Sequence, residues 1–98
     1  MLTFGLSYDV KPERQQEFEA VTADAIRLMQ NMKGHRETRL FQDVNRRNSY
    51  MIYSDWDTRE DFVAFLKSPE FAQAQTAGRD MLESRPRHHV YERANFEM

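Results

Sequence analysis

The chain has 98 residues, no cysteine, three glycines and three prolines. That length holds one domain, and the missing cysteines exclude a disulfide framework, a thiolate metal site, an iron–sulfur cluster and a cysteine nucleophile. Fourteen basic residues meet sixteen acidic ones for a net charge of −2, so no basic excess points to nucleic acid or an anionic membrane.

Residues 2–10 alternate. Leu2, Phe4, Leu6, Tyr8 and Val10 share one face, and Thr3, Gly5, Ser7 and Asp9 share the other. A period of two is the pattern of a half-buried strand. Pro12 then stands at a helix start, with Glu13 and Glu17 at the positive end of the helix dipole. Phe18, Val21, Ala25, Leu28 and Met32 recur at spacings of three and four. They predict one apolar stripe on a helix over 13–32. Gly34 suits a left-handed cap after it.

Residues 35–44 predict a second strand, and the polar run Asn45-Arg46-Arg47-Asn48 a turn. Ser49–Trp56 has the strongest strand propensity, with apolar bulk on both faces, as expected of a central strand. Thr58-Arg59-Glu60-Asp61 resembles a capping box, and Phe62, Phe65 and Leu66 give the helix after it an apolar face. Ser68-Pro69-Glu70 restarts that helix, with Phe71, Ala74, Gly78, Met81 and Leu82 continuing the stripe. Pro86 stops it, and Arg87–Phe96 predicts the last strand. The order strand, helix, strand, strand, helix, strand is the split βαβ, or ferredoxin-like, pattern. It predicts an α+β domain over 1–98, a four-stranded antiparallel sheet with its helices on one face.

The other face, carrying Met51 and Tyr53, must be solvated or docked. Hydrophobic residues are only 40% of the chain, and mean hydropathy is −0.85. A short polar chain gains burial from a second copy, so a sheet-to-sheet homodimer is expected. Aromatics at 12% argue against disorder. No apolar run reaches the length of a membrane helix and the N-terminus has no basic n-region, so a cytoplasmic location is expected.

The run Ser49-Tyr50-Met51-Ile52-Tyr53-Ser54-Asp55-Trp56-Asp57-Thr58 is a strand that ends in tryptophan before a helix cap. Phe62-Val63-Ala64-Phe65, Ser68-Pro69-Glu70-Phe71 and Arg85-Pro86-Arg87-His88-His89-Val90-Tyr91 follow it. With Tyr8-Asp9-Val10-Lys11-Pro12 before it, this pattern resembles the antibiotic biosynthesis monooxygenase family of dimeric α/β-barrel proteins. The resemblance implies a homodimer with a pocket between sheet and helices in each subunit. Members include cofactor-independent oxygenases of phenolic or anthrone-type substrates, haem-degrading enzymes and isomerases. No characterised polar set transfers whole. Haem degraders carry an asparagine on the first strand, which 2–10 lacks, and a tryptophan and histidine that correspond to Phe65 and Gln75. Quinone-forming members match at Trp56 but not at Ile52 and Phe62, and the isomerase histidine corresponds to Leu66. No cofactor is therefore expected, and haem only through another ligand such as His88 or His89.

Three residues stand as catalytic candidates. His88 carries an imidazole, the commonest general base, and shares a strand face with Val90, toward the helices, so it is the candidate base. Tyr8 lies on the apolar face of the first strand and is the candidate hydrogen-bond donor. Trp56 either stacks on an aromatic substrate or anchors the core. Phe62, Phe65, Met81, Ile52 and Arg85 are candidates to line the substrate site. Tyr50, Tyr53 and Tyr91 are further hydroxyl donors, and Arg39, Arg85 and Arg87 either hold an anionic group or make surface ion pairs. Met29, Met32 and Met81 are adaptable core or pocket wall. Adjacent strand residues face opposite ways, so His88 and His89 cannot chelate one ion. The expected function is a monooxygenase without a cofactor, acting on a small aromatic or phenolic substrate. The alternatives are a binding or scaffold protein that has lost the chemistry, and a haem protein with a non-standard ligand.

Overall fold

Alternation along the first strand organises the molecule. A computed structural model describes residues 1–92. Residues 93–96 of the expected last strand lie outside that range. The strands are β1 (Leu2–Asp9), β2 (His35–Gln42), β3 (Ser49–Trp56) and β4 (Arg87–Glu92). The helices are α1 (Gln15–Met29), α2 (Arg59–Leu66) and α3 (Pro69–Gly78). One antiparallel sheet has the order β2-β3-β1-β4. This is the expected ferredoxin-like architecture, with β1 and β3 inside.

The register sorts the side chains. Leu2, Phe4, Leu6 and Tyr8 stand opposite Trp56, Ser54, Ile52 and Tyr50 of β3. Phe4 and Leu6 stand opposite Val90 and His88 of β4. This face meets the helices, where Leu2, Phe4, Leu6 and Trp56 pack with Met29 of α1 and Phe62 of α2. A second cluster joins Val10 and Tyr50 to Phe18 of α1 and to Met81. Each large apolar side chain so buried contributes about 1.5–3 kcal/mol. The opposite face carries Gly5 beside Tyr53 and His89, and Ser7 beside Met51 and Arg87.

Local chemistry sets the boundaries. Pro12–Arg14 form a single 3₁₀ turn before α1, so the α-helical hydrogen bonds start later than Pro12 suggests. The α1 stripe also departs from expectation: Leu28 is 55% exposed, while Met29 is buried at 7%. The helix ends at Met29 rather than 32, and Phe18, Thr22 and Met29 are its buried positions. Gly34 takes a φ of 79°, the left-handed conformation expected of it. Its carbonyl accepts from the Asp57 N–H at 2.7 Å, which fixes the entry to α2. Thr58 Oγ1 caps α2 by accepting from the Asp61 N–H at 3.1 Å. Ser68 Oγ caps α3 by accepting from the Phe71 N–H at 3.2 Å. β2 stops at Gln42, short of the expected 44. Asp43 there turns the chain by accepting from the Asn45 and Arg46 N–H groups at 2.7 and 3.0 Å.

Two tethers position the segment after α3. The Lys11 N–H donates to the Met81 carbonyl and the Glu83 N–H to the Asp9 carbonyl, both at 2.8 Å. Met81, 1% exposed, plugs the core under this crossing. Asp9 reinforces it: Arg87 Nη1 donates to Oδ2 at 3.2 Å, and Arg46 lies 3.7 Å from Oδ1. Desolvation opposes ionisation of Asp9, but hydrogen bonds from Arg87 and Ser49 and the two arginine charges outweigh it and hold its carboxyl below the usual range. The resulting stability is present above the ordinary aspartate pKa and is lost as pH falls through the lowered folded value. Asp9→Asn should therefore destabilise the protein by roughly 1–2 kcal/mol near neutral pH, an effect that shrinks in acid. Met81→Ala should cost about 2–5 kcal/mol at all pH values. Urea unfolding at a series of pH values checks both.

Candidate functional site

A cavity of about 420 Å³ opens between the helix-facing side of the sheet and the helices. Leu6, Tyr8 and Ile52 form its floor, Phe18, Val21 and Thr22 of α1 one wall, and Phe71, Ala74 and Gln75 of α3 another. Arg79, Leu82, Arg85 and Pro86 of the tethered segment close one side, with His88 of β4 beside them. Its size and apolar lining with a few convergent polar groups are those of a small-molecule site.

The strand register explains how Tyr8 and His88 meet there. His88 pairs with Leu6, two residues before Tyr8 on the same face of the sheet. Phe4 packs tilted against the His88 ring at 5.8 Å, and Phe18 packs edge-on against Tyr8 at 5.3 Å. Among the described residues the Tyr8 hydroxyl has no hydrogen-bond partner, and burial pushes its pKa far above the usual phenol value. It is a neutral donor at any physiological pH. Tyr50 differs: its hydroxyl donates to Glu19 Oε2 at 2.6 Å and accepts from Gln15 Nε2 at 3.1 Å.

Of the remaining candidates, Ile52 and Arg85 line this cavity. Trp56, 0% exposed, does not line it. Its Nε1 donates to Ser54 Oγ at 2.9 Å, Ser54 shares a hydroxyl contact with Thr38 at 2.8 Å, and Thr38 meets His35 Nε2 at 2.6 Å. That chain satisfies the buried polar atoms between β3 and β2, and burial lowers the His35 pKa. Phe65 stacks on Trp56 at 5.1 Å and borders a separate hollow with Met32 and Lys33. Phe62 and Met81 are sealed in the core and lie outside the cavity lining, because their helices turn them onto β1 and β3. Arg39 pairs with Glu37 and Arg87 with Asp9, as surface ion pairs. Met29 is core and Met32 packs against it. Tyr53 and His89 belong to the opposite sheet face, and the Tyr91 side chain lies outside the described set. Thr22 and Arg79 line the cavity without having been singled out from sequence, and Gln75, considered there only as the counterpart of the haem degraders' histidine, lines it too. The α3 stripe of Phe71, Ala74 and Gly78 was the available signal, since Gln75 and Arg79 each follow one of its members. Among the described residues no cluster of histidine and carboxylate groups could hold a metal ion, and no helix is long and apolar enough to cross a membrane.

Sheet, helices and cavity together define an α+β protein with a small-molecule-sized pocket against its sheet. Residues 1–77 match the family model for antibiotic biosynthesis monooxygenase, and the chain belongs to that family. It is similar in fold to SnoaB, a cofactor-independent oxygenase from Streptomyces nogalater. That likeness has a TM-score of 0.87 and 23% identity, and covers 97% of this chain and 94% of SnoaB. A structure from Deinococcus radiodurans, described as a "putative antibiotic biosynthesis monooxygenase", superposes with a TM-score of 0.91 at 14% identity. It covers 100% of this chain and 97% of that one. In sequence, the chain is 40% identical over 86 residues to a Haloarcula marismortui protein named "Putative heme-binding protein". That match takes in 88% of this chain and 13% of the relative. Across the four such haloarchaeal proteins the matched part is 13% to 18% of their length.

The different settings of the two phenols give a direct test. Tyr8→Phe removes a hydroxyl with no partner among the described residues and should change stability by less than about 0.5 kcal/mol at neutral pH. Tyr50→Phe breaks a charge-assisted bond and should cost about 1–2 kcal/mol. The raised Tyr8 pKa adds a pH signature. Its stabilisation is present below the ordinary value of 10.0 and is lost as pH rises toward the folded value. Tyr8→Phe should therefore blunt alkaline unfolding, measured by circular dichroism between neutral pH and strong alkali.

Proposed function

We propose that the cavity binds a small aromatic or phenolic substrate and oxygenates it without a cofactor, with His88 as base and Tyr8 as hydrogen-bond donor. The observation that carries this is that one apolar cavity is lined by both an imidazole and a neutral phenol with no hydrogen-bond partner among the described residues. For an anthrone-type substrate, His88 takes a proton from the ring methylene carbon. The carbanion delocalises onto the substrate oxygen, where the Tyr8 O–H donates a hydrogen bond to the developing charge. Molecular oxygen accepts electrons from the carbanion and forms a bond to that carbon. Loss of water from the hydroperoxide leaves a carbonyl, so one oxygen atom enters the product and the other leaves as water. The apolar walls hold the ring plane. Trp56 has an indirect part, packing in the core beside the cavity on the same face of the sheet.

A second copy completes the unit in this proposal. Phe41 is 47% exposed and packs edge-on to Tyr53 at 6.4 Å on the sheet face away from the helices, where Met51 is also exposed. We infer that two such faces meet. Phe41→Glu with Met51→Glu should then shift the sedimenting species from dimer to monomer.

The family names also favour a second reading. Relatives named for haem suggest that the same cavity holds haem. His88 is the one imidazole on the described lining and would hold the iron. Bound haem would supply one-electron and oxygen chemistry.

Oxygen uptake with a panel of anthrones and hydroquinones separates the readings. The first expects turnover in metal-free protein, reduced about 10²–10⁴-fold by His88→Ala and about 10-fold or more by Tyr8→Phe. The haem reading expects a Soret shift at micromolar haem that His88→Ala abolishes. Binding of the aromatic panel with neither response would leave a binding protein without catalysis.

A further inference from the structure

The ionisable groups on the described cavity lining are Tyr8, Arg79, Arg85 and His88; no carboxylate is among them. This contrasts with a chain in which acids outnumber bases. Arg79 belongs to the 3₁₀ turn Arg79–Met81, and Arg85 sits six residues later, before Pro86. The tethers of Met81 to Lys11 and of Glu83 to Asp9 fix the segment between them. Among the described residues neither guanidinium has an ion-pair or hydrogen-bond partner. Several arginines elsewhere do: Arg39 pairs with Glu37, Arg87 with Asp9, Arg36 with Asp57 and Arg14 with Glu17.

We infer that Arg79 and Arg85 form an anion-recognition lip, and that the ligand of this cavity is a flat apolar molecule bearing a carboxylate. A guanidinium presents a planar fork of donors that matches a carboxylate and is weakly hydrated enough to sit beside apolar walls. Leu6, Phe18, Val21, Ile52 and Phe71 take the ring system, and the two arginines take its charged end. The lip also selects, because a neutral ring system of the same shape gains nothing from the two guanidinium groups. The inference rests on the proposed reading of the cavity as a ligand site, and it names the class of ligand.

Fluorescence titration with anthracene-2-carboxylate and its neutral counterpart 2-(hydroxymethyl)anthracene tests it. The carboxylate should bind about tenfold more tightly than the alcohol, with an advantage that shrinks as salt rises. Arg79→Gln and Arg85→Gln should each weaken the carboxylate by about tenfold and leave the alcohol within twofold. Both side chains are exposed, so the variants should keep the wild-type melting temperature. Arg47→Gln, outside the cavity, is the control and should change neither ligand. Ala74→Trp fills the cavity and should abolish both. Equal binding of the two ligands, unchanged by either arginine variant, overturns the anion lip while leaving the cavity as a ligand site. Failure of both ligands to bind, or binding that survives Ala74→Trp, overturns the cavity reading itself. A parallel haem titration separates the two sources of such a carboxylate. Weakening of anthracene-2-carboxylate alone assigns the lip to a small aromatic acid, and weakening of haem as well extends it to the haem propionates.

Discussion

β1 is hydrogen-bonded along both edges, to β3 and to β4, and it turns Leu2, Phe4, Leu6 and Tyr8 toward the helices. A slip of one residue would send all four to the opposite face and bring Thr3, Gly5 and Ser7 into the core. The register is therefore held by the free energy of the whole apolar face. Everything near the cavity follows from it. Leu6 places His88 beside itself on β4, Tyr8 stands two residues on, and Ile52 faces Leu6 from β3.

The end of β1 does a second job. Asp9, Val10 and Lys11 make backbone bonds to Glu83, Asn48 and Met81, so one short stretch ties the β2–β3 turn and the segment after α3 to the same point. Asp9 adds charge to that knot through Arg87 and Arg46. Its cost in desolvation is offset by the guanidinium partners, which is why it remains ionised in a half-buried place. The segment it restrains carries Arg79, Arg85 and Pro86 along the cavity. A structural ion-pair cluster and the candidate ligand site thus share one backbone crossing without sharing side chains.

The core and the cavity divide the aromatic residues between them. Trp56, Phe62 and Phe65 pack together at the end of the sheet near Gly34 and the α2 cap. Tyr8, Phe18 and Phe71 surround the open space at the other end. The polar chain from Trp56 through Ser54 and Thr38 to His35 shows why the first group is structural: each buried donor there already has its acceptor. The Tyr8 hydroxyl lacks one among the described residues, which is why the proposed ligand site is drawn around the second group.

By itself, the sequence determined the element order, the split βαβ architecture and the family, because alternation, caps and prolines are local and survive without any partner. It also determined that Tyr8 and His88 share the helix-facing side of the sheet, since parity along a strand needs only counting. What only the tertiary structure decided was which aromatic residues seal the core and which leave a space. Trp56, Phe62 and Met81 have the composition of a pocket wall, but the crossing of helices over the sheet makes them a plug. Leu28 and Met29 show the same limit, because adjacent apolar residues compete for one face and the rotation of α1 settles which is buried. Arg79 and Arg85 come together at one cavity only because long-range backbone bonds tether the segment carrying them, and such pairings have no local pattern to read.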